Sequence, residues 1–433
     1  MSPAEIGVVG MAVLFVLLFL GVPVGIALGG VGFVGFMAVS GWDAALGIIR
    51  IVPYSTFSNY GLIVIPLFVL MGNFAFHSGL SGDLYTTARA WFGRIRGGLA
   101  MATIAACAAF AAVSGSSVAT AATMGKIALP EMKKHNYDDG LATGTLAAGG
   151  TIGILIPPSV ILIIYGVLTE NSIGKLFLAG FLPGILQAVL YISVIAGICL
   201  LVRRMGPPGE ASSWWEKIKS LRGSWMVLVL FLLVIGGIYF GIFSPVEAAG
   251  IGAFGAFFIA LVRRKLTWTR FKDSLTDAVL TSAMIFLIML GANIFGYFLA
   301  VTGLPQALSD AMLGMDVNRY WILLMIVIIY IILGMFMDSM AMILITIPIF
   351  YPVIQQLGFD AIWFGIIIVK VAEIGLITPP VGMNLYVIQG ISDNVPMGRV
   401  FKGVTPFIVA DFVHVALLTA FPIIALFIPN IMS

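Results

Sequence analysis

Four predominantly apolar runs, at 8–20, 226–240, 278–300 and 321–336, constrain this chain more than any other feature. A helix needs about 20 apolar residues to cross a bilayer. Charged residues make up only 9% of the 433 positions, against about 25% in an ordinary soluble domain. That is too little charge to cover a soluble fold of this size. A membrane barrel would show short alternating segments instead, so the pattern predicts an all-α polytopic membrane protein set in a lipid bilayer. Without a basic n-region, residues 1–20 read as a first membrane helix and not as a cleaved signal. Cys107 and Cys199 lie in apolar runs and read as packing residues. The sequence has no nucleic-acid motif, no phosphate loop, no His-Glu-x-x-His and no nucleophile–base constellation. Neither nucleic-acid binding nor an enzyme is expected.

An internal repeat comes next. At an offset of 222, Pro23 meets Pro245, Gly30 meets Gly252, Ser117 meets Ser339, Pro130 meets Pro352 and Gly153 meets Gly375. Pro157-Pro158 meets Pro379-Pro380, each pair 27 residues beyond the preceding matched proline. At 223, Asn171, Gly180 and Pro183 meet Asn394, Gly403 and Pro406. Residues 1–204 and 223–433 are thus read as two halves, joined by a polar cytoplasmic linker, 205–222.

Lys and Arg collect in cytoplasmic loops. Basic clusters fall at 89–96, 126–134, 203–222, 263–272 and 399–402. Placing all of them inside leaves only Arg50, Lys175 and Arg319 outside, provided each half crosses the membrane an odd number of times. Half one then reads as a helix ending near Pro23, a second ending near Trp42, and a third over 58–78. A basic amphipathic stretch (80–97), a re-entrant hairpin (98–132), a broken helix (139–170) and a last helix (176–202) follow. Half two repeats the plan upside down, and its amphipathic stretch, 303–318, has no Lys or Arg. Two inverted repeats, each with about five crossings, one hairpin and one broken helix, are a common build for secondary transporters.

Each half has two places where a membrane helix cannot continue. One is a polar interruption: 114–117 in half one, 334–339 in half two. The other surrounds the Pro-Pro pair, because proline removes a backbone donor and clashes with the preceding turn. Such breaks survive in a membrane where they line a cavity or bind something. Their free carbonyls suit a small cation and their free amides an anion. The expected Na⁺ sites pair the hairpin tip with the break of the same half. Ser114, Gly115, Ser117, Gly153 and Ile156 form one. Gly334, Met337, Asp338, Gly375 and Thr378 form the other. Oxygen-only ligation suits a hard cation. Ser116, Ser159, Gly382, Asn384, Asn73 and Asn293 are candidates to face a substrate. Lys370 and Glu373 share a helix face and read as a self-neutralising pair, or else Glu373 or Asp338 reads as a cation or proton site.

The motifs Gly-Ser-Ser-Val-Ala-Thr-Ala (115–121), Ile-Pro-Pro-Ser (156–159) and Glu-Ile-Gly-Leu-Ile-Thr-Pro-Pro-Val-Gly-Met-Asn (373–384) resemble the large membrane subunit of tripartite ATP-independent periplasmic (TRAP) transporters. The resemblance covers nearly the whole chain. It implies a sodium-driven secondary transporter in the bacterial inner membrane, importing a small organic acid delivered by a periplasmic substrate-binding protein. It also implies a small four-helix membrane subunit, expected here as a separate chain. The expected mechanism is an elevator, with segments 98–170 and 320–390 moving against a scaffold made of the remainder. A stand-alone sodium- or proton-coupled carboxylate symporter is the alternative. The resemblance assigns no role to Lys370, which stays open.

Overall fold

The structure, a computed structural model, describes residues 1–315, 317–392 and 395–431; Asn394 lies outside them. The described elements are helices. In half one they are α1 Pro3–Phe19, α2 Val24–Ser40, α3 Trp42–Phe57, a 3-10 turn Tyr60–Ile63, α4 Val64–His77, α5 Leu80–Phe92, α6 Gly98–Ser114, α7 Ser117–Lys134, α8 Asp139–Leu155, α9 Val160–Leu168 and α10 Ile173–Leu201. In half two they are α11 Trp214–Tyr239, α12 Pro245–Val262, α13 Trp268–Thr302, α14 Leu304–Leu313, α15 Arg319–Phe336, α16 Ser339–Gln356, α17 Ala361–Ile377, α18 Met383–Ile391, α19 Met397–Ala420 and α20 Ile423–Ile431. Among the described residues, eight helices are long and apolar enough to cross a membrane, or nine if the pair α8–α9, bent by 41°, counts as one span.

The offset of 222 reappears in the element boundaries. Helices α7 and α8, moved by 222, coincide end for end with α16 and α17. Packing follows the same rule, and four contacts between the halves come in mirrored pairs. Helix α2 lies on α13 and α12 on α4; α8 lies on α19 and α17 on α10; α7 lies on α18 and α16 on α9; α5 lies on α11 and α14 on α1. The halves therefore exchange partners, and the packing runs between them as well as within each.

Small residues let the crossings close tightly, as in other membrane bundles. At the α8–α19 crossing, a Cβ on Gly403 would overlap the Gly140 backbone. Gly403→Ala should therefore cost about 1–3 kcal/mol through overpacking and lower the thermal midpoint in detergent. An unchanged midpoint would mean that the two helices separate readily.

Two stretches differ from the sequence reading. Residues 42–57, left unassigned there, form α3. Asp43, Arg50 and an internal Pro53 hide its apolar face, and its mate is the still more polar first third of α13, with Arg270, Lys272, Asp273 and Asp277. The stretch read as linker already turns helical at Trp214, where Ser213 and Glu216 form a reciprocal capping box, a start signal visible in the sequence. At the start of α6, the Leu99 N–H donates to the Tyr137 hydroxyl at 3.1 Å. Burial pushes that phenol up to about 12, so it stays neutral near pH 7.

Candidate functional site

Helix α6 ends at Ser114, and Gly115 turns the chain with φ +60°, a left-handed conformation that suits glycine. Ser116 then caps α7, accepting from the Ala119 N–H at 3.3 Å. The Thr120 hydroxyl donates to the Ser116 carbonyl at 2.7 Å and lies 2.8 Å from Ser114 Oγ. This tip lies against the break of its own half. A Cβ on Gly115 would come within 2.7 Å of the Pro158 carbonyl oxygen, and one on Gly153 within 2.9 Å of both Ser116 O and Thr120 Oγ1. The break follows from the proline pair. Pro157 and Pro158 offer no N–H, so the Gly153 and Ile154 carbonyls lack their usual donors four residues on. Ile156 is extended, and Ser159 restarts the helix by accepting from the Leu162 N–H.

Half two repeats the arrangement with different residues. Gly375 at the break meets Gly334 at the tip so closely that a Cβ on Gly375 would lie 2.5 Å from Gly334 Cα. The Gly382 N–H donates to the Met335 carbonyl at 3.3 Å. Asp338 caps α16, accepting from the Met340 N–H at 2.9 Å. The Thr378 hydroxyl donates to the Ile374 carbonyl. Both tip–break pairs are thus rich in carbonyl and hydroxyl oxygen. Among the described residues, no group of three or more His, Cys, Asp or Glu side chains is arranged to hold a metal ion.

A cavity of about 460 Å³ lies beside both tips. Ser114, Gly115, Ser116 and Ser117 line it from the first tip and Asp338 and Met340 from the second. Asn73 of α4 and Asp277 and Thr281 of α13 close the far side. Gly153 lies against Ser116 and Thr120 of the first tip, and Gly375 against Gly334 and Gly382 against Met335 of the second. Ile156 packs on Gly184 of α10, and Met337 and Thr378 follow the last turns of α15 and α17. Gly153, Ile156, Gly334, Met337, Gly375, Thr378 and Gly382 do not line the cavity. Three substrate candidates lie elsewhere. Ser159 is a fully buried helix cap. Asn384, also fully buried, donates to Ser117 Oγ at 2.6 Å and to the Ala147 carbonyl at 3.3 Å, so it ties α18 of one half to the tip of the other. Asn293 donates to Thr56 Oγ1 at 2.8 Å and lines a second cavity, of about 480 Å³, with Ser55, Tyr297 and Tyr351. The two cavities correspond across the repeat: Asp277 and Thr281 of the first meet Ser55 and Asn59 at the offset of 222, and both of these border the second cavity or the small one beside it.

Sequence reasoning missed Thr120, Lys126 and Asp277. Lys126 lines the main cavity from α7, although its charge reads as part of a cytoplasmic cluster. Asp277 lies in the polar first third of α13, just before the apolar run 278–300, so the sequence did not mark it out. Lys370 has a partner the sequence reading did not find. Its ammonium is 2.7 Å from Asp411 Oδ1 and 3.3 Å from Glu373 Oε2. The pairing with Glu373 three residues away is therefore the longer of the two. All three side chains are fully buried.

Crossing helices interrupted in matched places, with oxygen-rich contacts beside a central cavity, define a helical membrane transport protein and not an enzyme. A family model described as "Tripartite ATP-independent periplasmic transporter, DctM component" matches residues 11–424. The chain belongs to this family, as a large, multi-pass inner-membrane permease subunit. It is 36% identical to the C4-dicarboxylate TRAP transporter large permease protein DctM of Pseudomonas aeruginosa, over 87% of this chain and 88% of that one. It is also 36% identical to the sialic acid TRAP transporter large permease protein SiaM of Vibrio cholerae, over 86% and 87%. An isethionate TRAP transporter permease protein, DctMQ, of Oleidesulfovibrio alaskensis is 35% identical over 95% of this chain, which spans 64% of that protein. Among solved structures, the YdaH transporter of Alcanivorax borkumensis shares the fold, with a TM-score of 0.66 at 16% identity over 88% of this chain and 89% of that one.

Proposed function

We propose that this chain is the permease of a sodium-driven secondary importer that takes a small organic acid from a periplasmic binding protein and works beside a small membrane subunit. The observation that carries the reading is the pair of oxygen-rich tip–break contacts, one in each half, on either side of one cavity. Two Na⁺ ions held there would fix both tips and so build the substrate wall, which is coupling by differential binding. The relatives' names, covering a C4-dicarboxylate, a sialic acid and isethionate, favour an organic anion. Lys126 is the cationic side chain lining the cavity, so amides, hydroxyls and bound cations would carry much of the anion's charge.

The distribution of Lys and Arg supports an inverted relation between the halves, and the matched pair of cavities supports alternating access by a moving body. That body contains α6–α9 and α15–α18. The geometry favours adding α10 and α19, which the sequence reading assigned to the scaffold. Buried polar contacts join them to α8 and α17, and separating these each cycle would leave charges unpaired in the bundle.

Ser117→Ala and Thr378→Val each remove one hydroxyl from a tip or break. Each should raise the Na⁺ concentration for half-maximal uptake about fivefold, the equivalent of roughly 1 kcal/mol, with folded yield close to wild type. Na⁺ dependence unchanged from wild type in both variants would place the ions elsewhere. Uptake with and without the binding protein separates this reading from a stand-alone symporter, which would transport equally well in its absence.

A further inference from the structure

A chain of buried polar groups joins the two broken helices, and it contains Lys370. In half two, Lys370 of α17 pairs with Asp411 of α19. The Tyr191 hydroxyl of α10 donates to the same Asp411 oxygen at 2.7 Å. The Gln187 amide donates to the Tyr191 hydroxyl at 3.0 Å and to Thr151 Oγ1 of α8 at 3.1 Å. The Lys370 ammonium also lies 5.7 Å from the centre of the Tyr191 ring. Thr151, Gln187, Tyr191, Lys370, Glu373, Asp411 and His414 are all fully buried.

The placement repeats across the halves. Thr151 stands two residues before Gly153, and its mate at 222 is Glu373, two residues before Gly375. Tyr191 and His414 are mates at 223. The network therefore sits where the halves cross and touches both helices that run into the breaks. Within the network, the Tyr191 hydroxyl binds the half-two ion pair through Asp411 and the half-one chain through Gln187, and it also lies 3.3 Å from Thr151 Oγ1.

We propose that Tyr191 is a positioning residue that couples the two helix breaks, so that order at one tip–break contact is felt at the other. The inference rests on the reading of the breaks as the working parts of the carrier. It goes beyond that reading in making the two sites interdependent. Low surrounding polarity strengthens such a network, and a buried group left unpaired is costly. A shift of α8 that carries Thr151 away from Gln187 therefore strains the bond to Asp411 and, through Lys370, the position of α17.

Tyr191→Phe tests this, because it keeps the ring and the Lys370–Asp411 pair and deletes only the hydroxyl link. Thr151→Val is the second variant, cutting the chain at its α8 end. Hydrogen–deuterium exchange would be followed in purified protein over 150–156 and 372–378, with α2 and α12 as internal controls. Both variants should speed exchange in both segments, by about fivefold, at the low end of measured couplings between sites, with the controls unchanged. The signature is Thr151→Val, a change in half one, loosening 372–378 in half two. A packing role alone would confine each effect to the helices carrying the substitution, and that result, or unchanged exchange, overturns the proposal. Repeating the comparison in sodium chloride and in choline chloride keeps the two readings apart. Wild-type exchange that ignores Na⁺ would count against sodium binding, while the cross-half comparison in choline would still decide the coupling.

Discussion

Replacing Lys370 by Met should cost about 3–5 kcal/mol of stability, the usual penalty for removing one partner of a buried ion pair. The lysine is the cation that faces Glu373 and Asp411, at 3.3 and 2.7 Å, and none of the three side chains reaches solvent. Without it, two carboxylates share one buried pocket. Methionine nearly fills the volume, so the loss reads out charge and not a cavity. The expected result is a large drop in folded yield and thermal midpoint in detergent. The triple variant Lys370→Met, Glu373→Gln, Asp411→Asn restores neutrality and should recover much of the loss, because neutral replacements of buried ion pairs are often tolerated. A single variant as stable as wild type would contradict the charge assignment.

The second large effect is on transport. In Gly375→Val, the added Cβ would stand 2.5 Å from Gly334 Cα and 2.6 Å from Gly334 C. Both neighbours are backbone, so no side chain can swing aside. Tip and break must separate by an ångström or more, and misplacement on that scale can cost on the order of a hundredfold in rate. Uptake per folded molecule should fall by about that factor, and Gly375→Ala should fall between valine and wild type. Fast uptake by the valine variant would show that the Gly334–Gly375 contact is not needed for transport.

The breaks themselves were legible because two adjacent prolines leave the backbone little choice, and a matched pair at a fixed offset points to one design used twice. The hairpin tips were legible for a similar reason, as glycine and serine interrupt runs that are otherwise apolar. Less visible were features that depend on who packs against whom. Asp411 lies 41 residues beyond Lys370, and helix periodicity pairs residues three or four apart, so Glu373 looked like the natural partner. Asn384 looked like a substrate ligand because it follows the second Pro-Pro pair, yet the exchange of partners between halves turns it onto Ser117. Asn73 and Asn293 both read as candidates to face a substrate, and the structure places them in two separate cavities. Helix α3 escaped because Asp43, Arg50 and Pro53 resemble a loop until the packing reveals which face is buried.

Uptake into proteoliposomes under imposed gradients tests the central claim most directly. The permease would be reconstituted with its small membrane subunit, and the binding protein loaded with labelled substrate added outside. Uptake should require both an inward Na⁺ gradient and the binding protein, and should disappear when choline replaces Na⁺. Uptake that continues at the same rate without Na⁺, or that a proton gradient alone can drive, would contradict it.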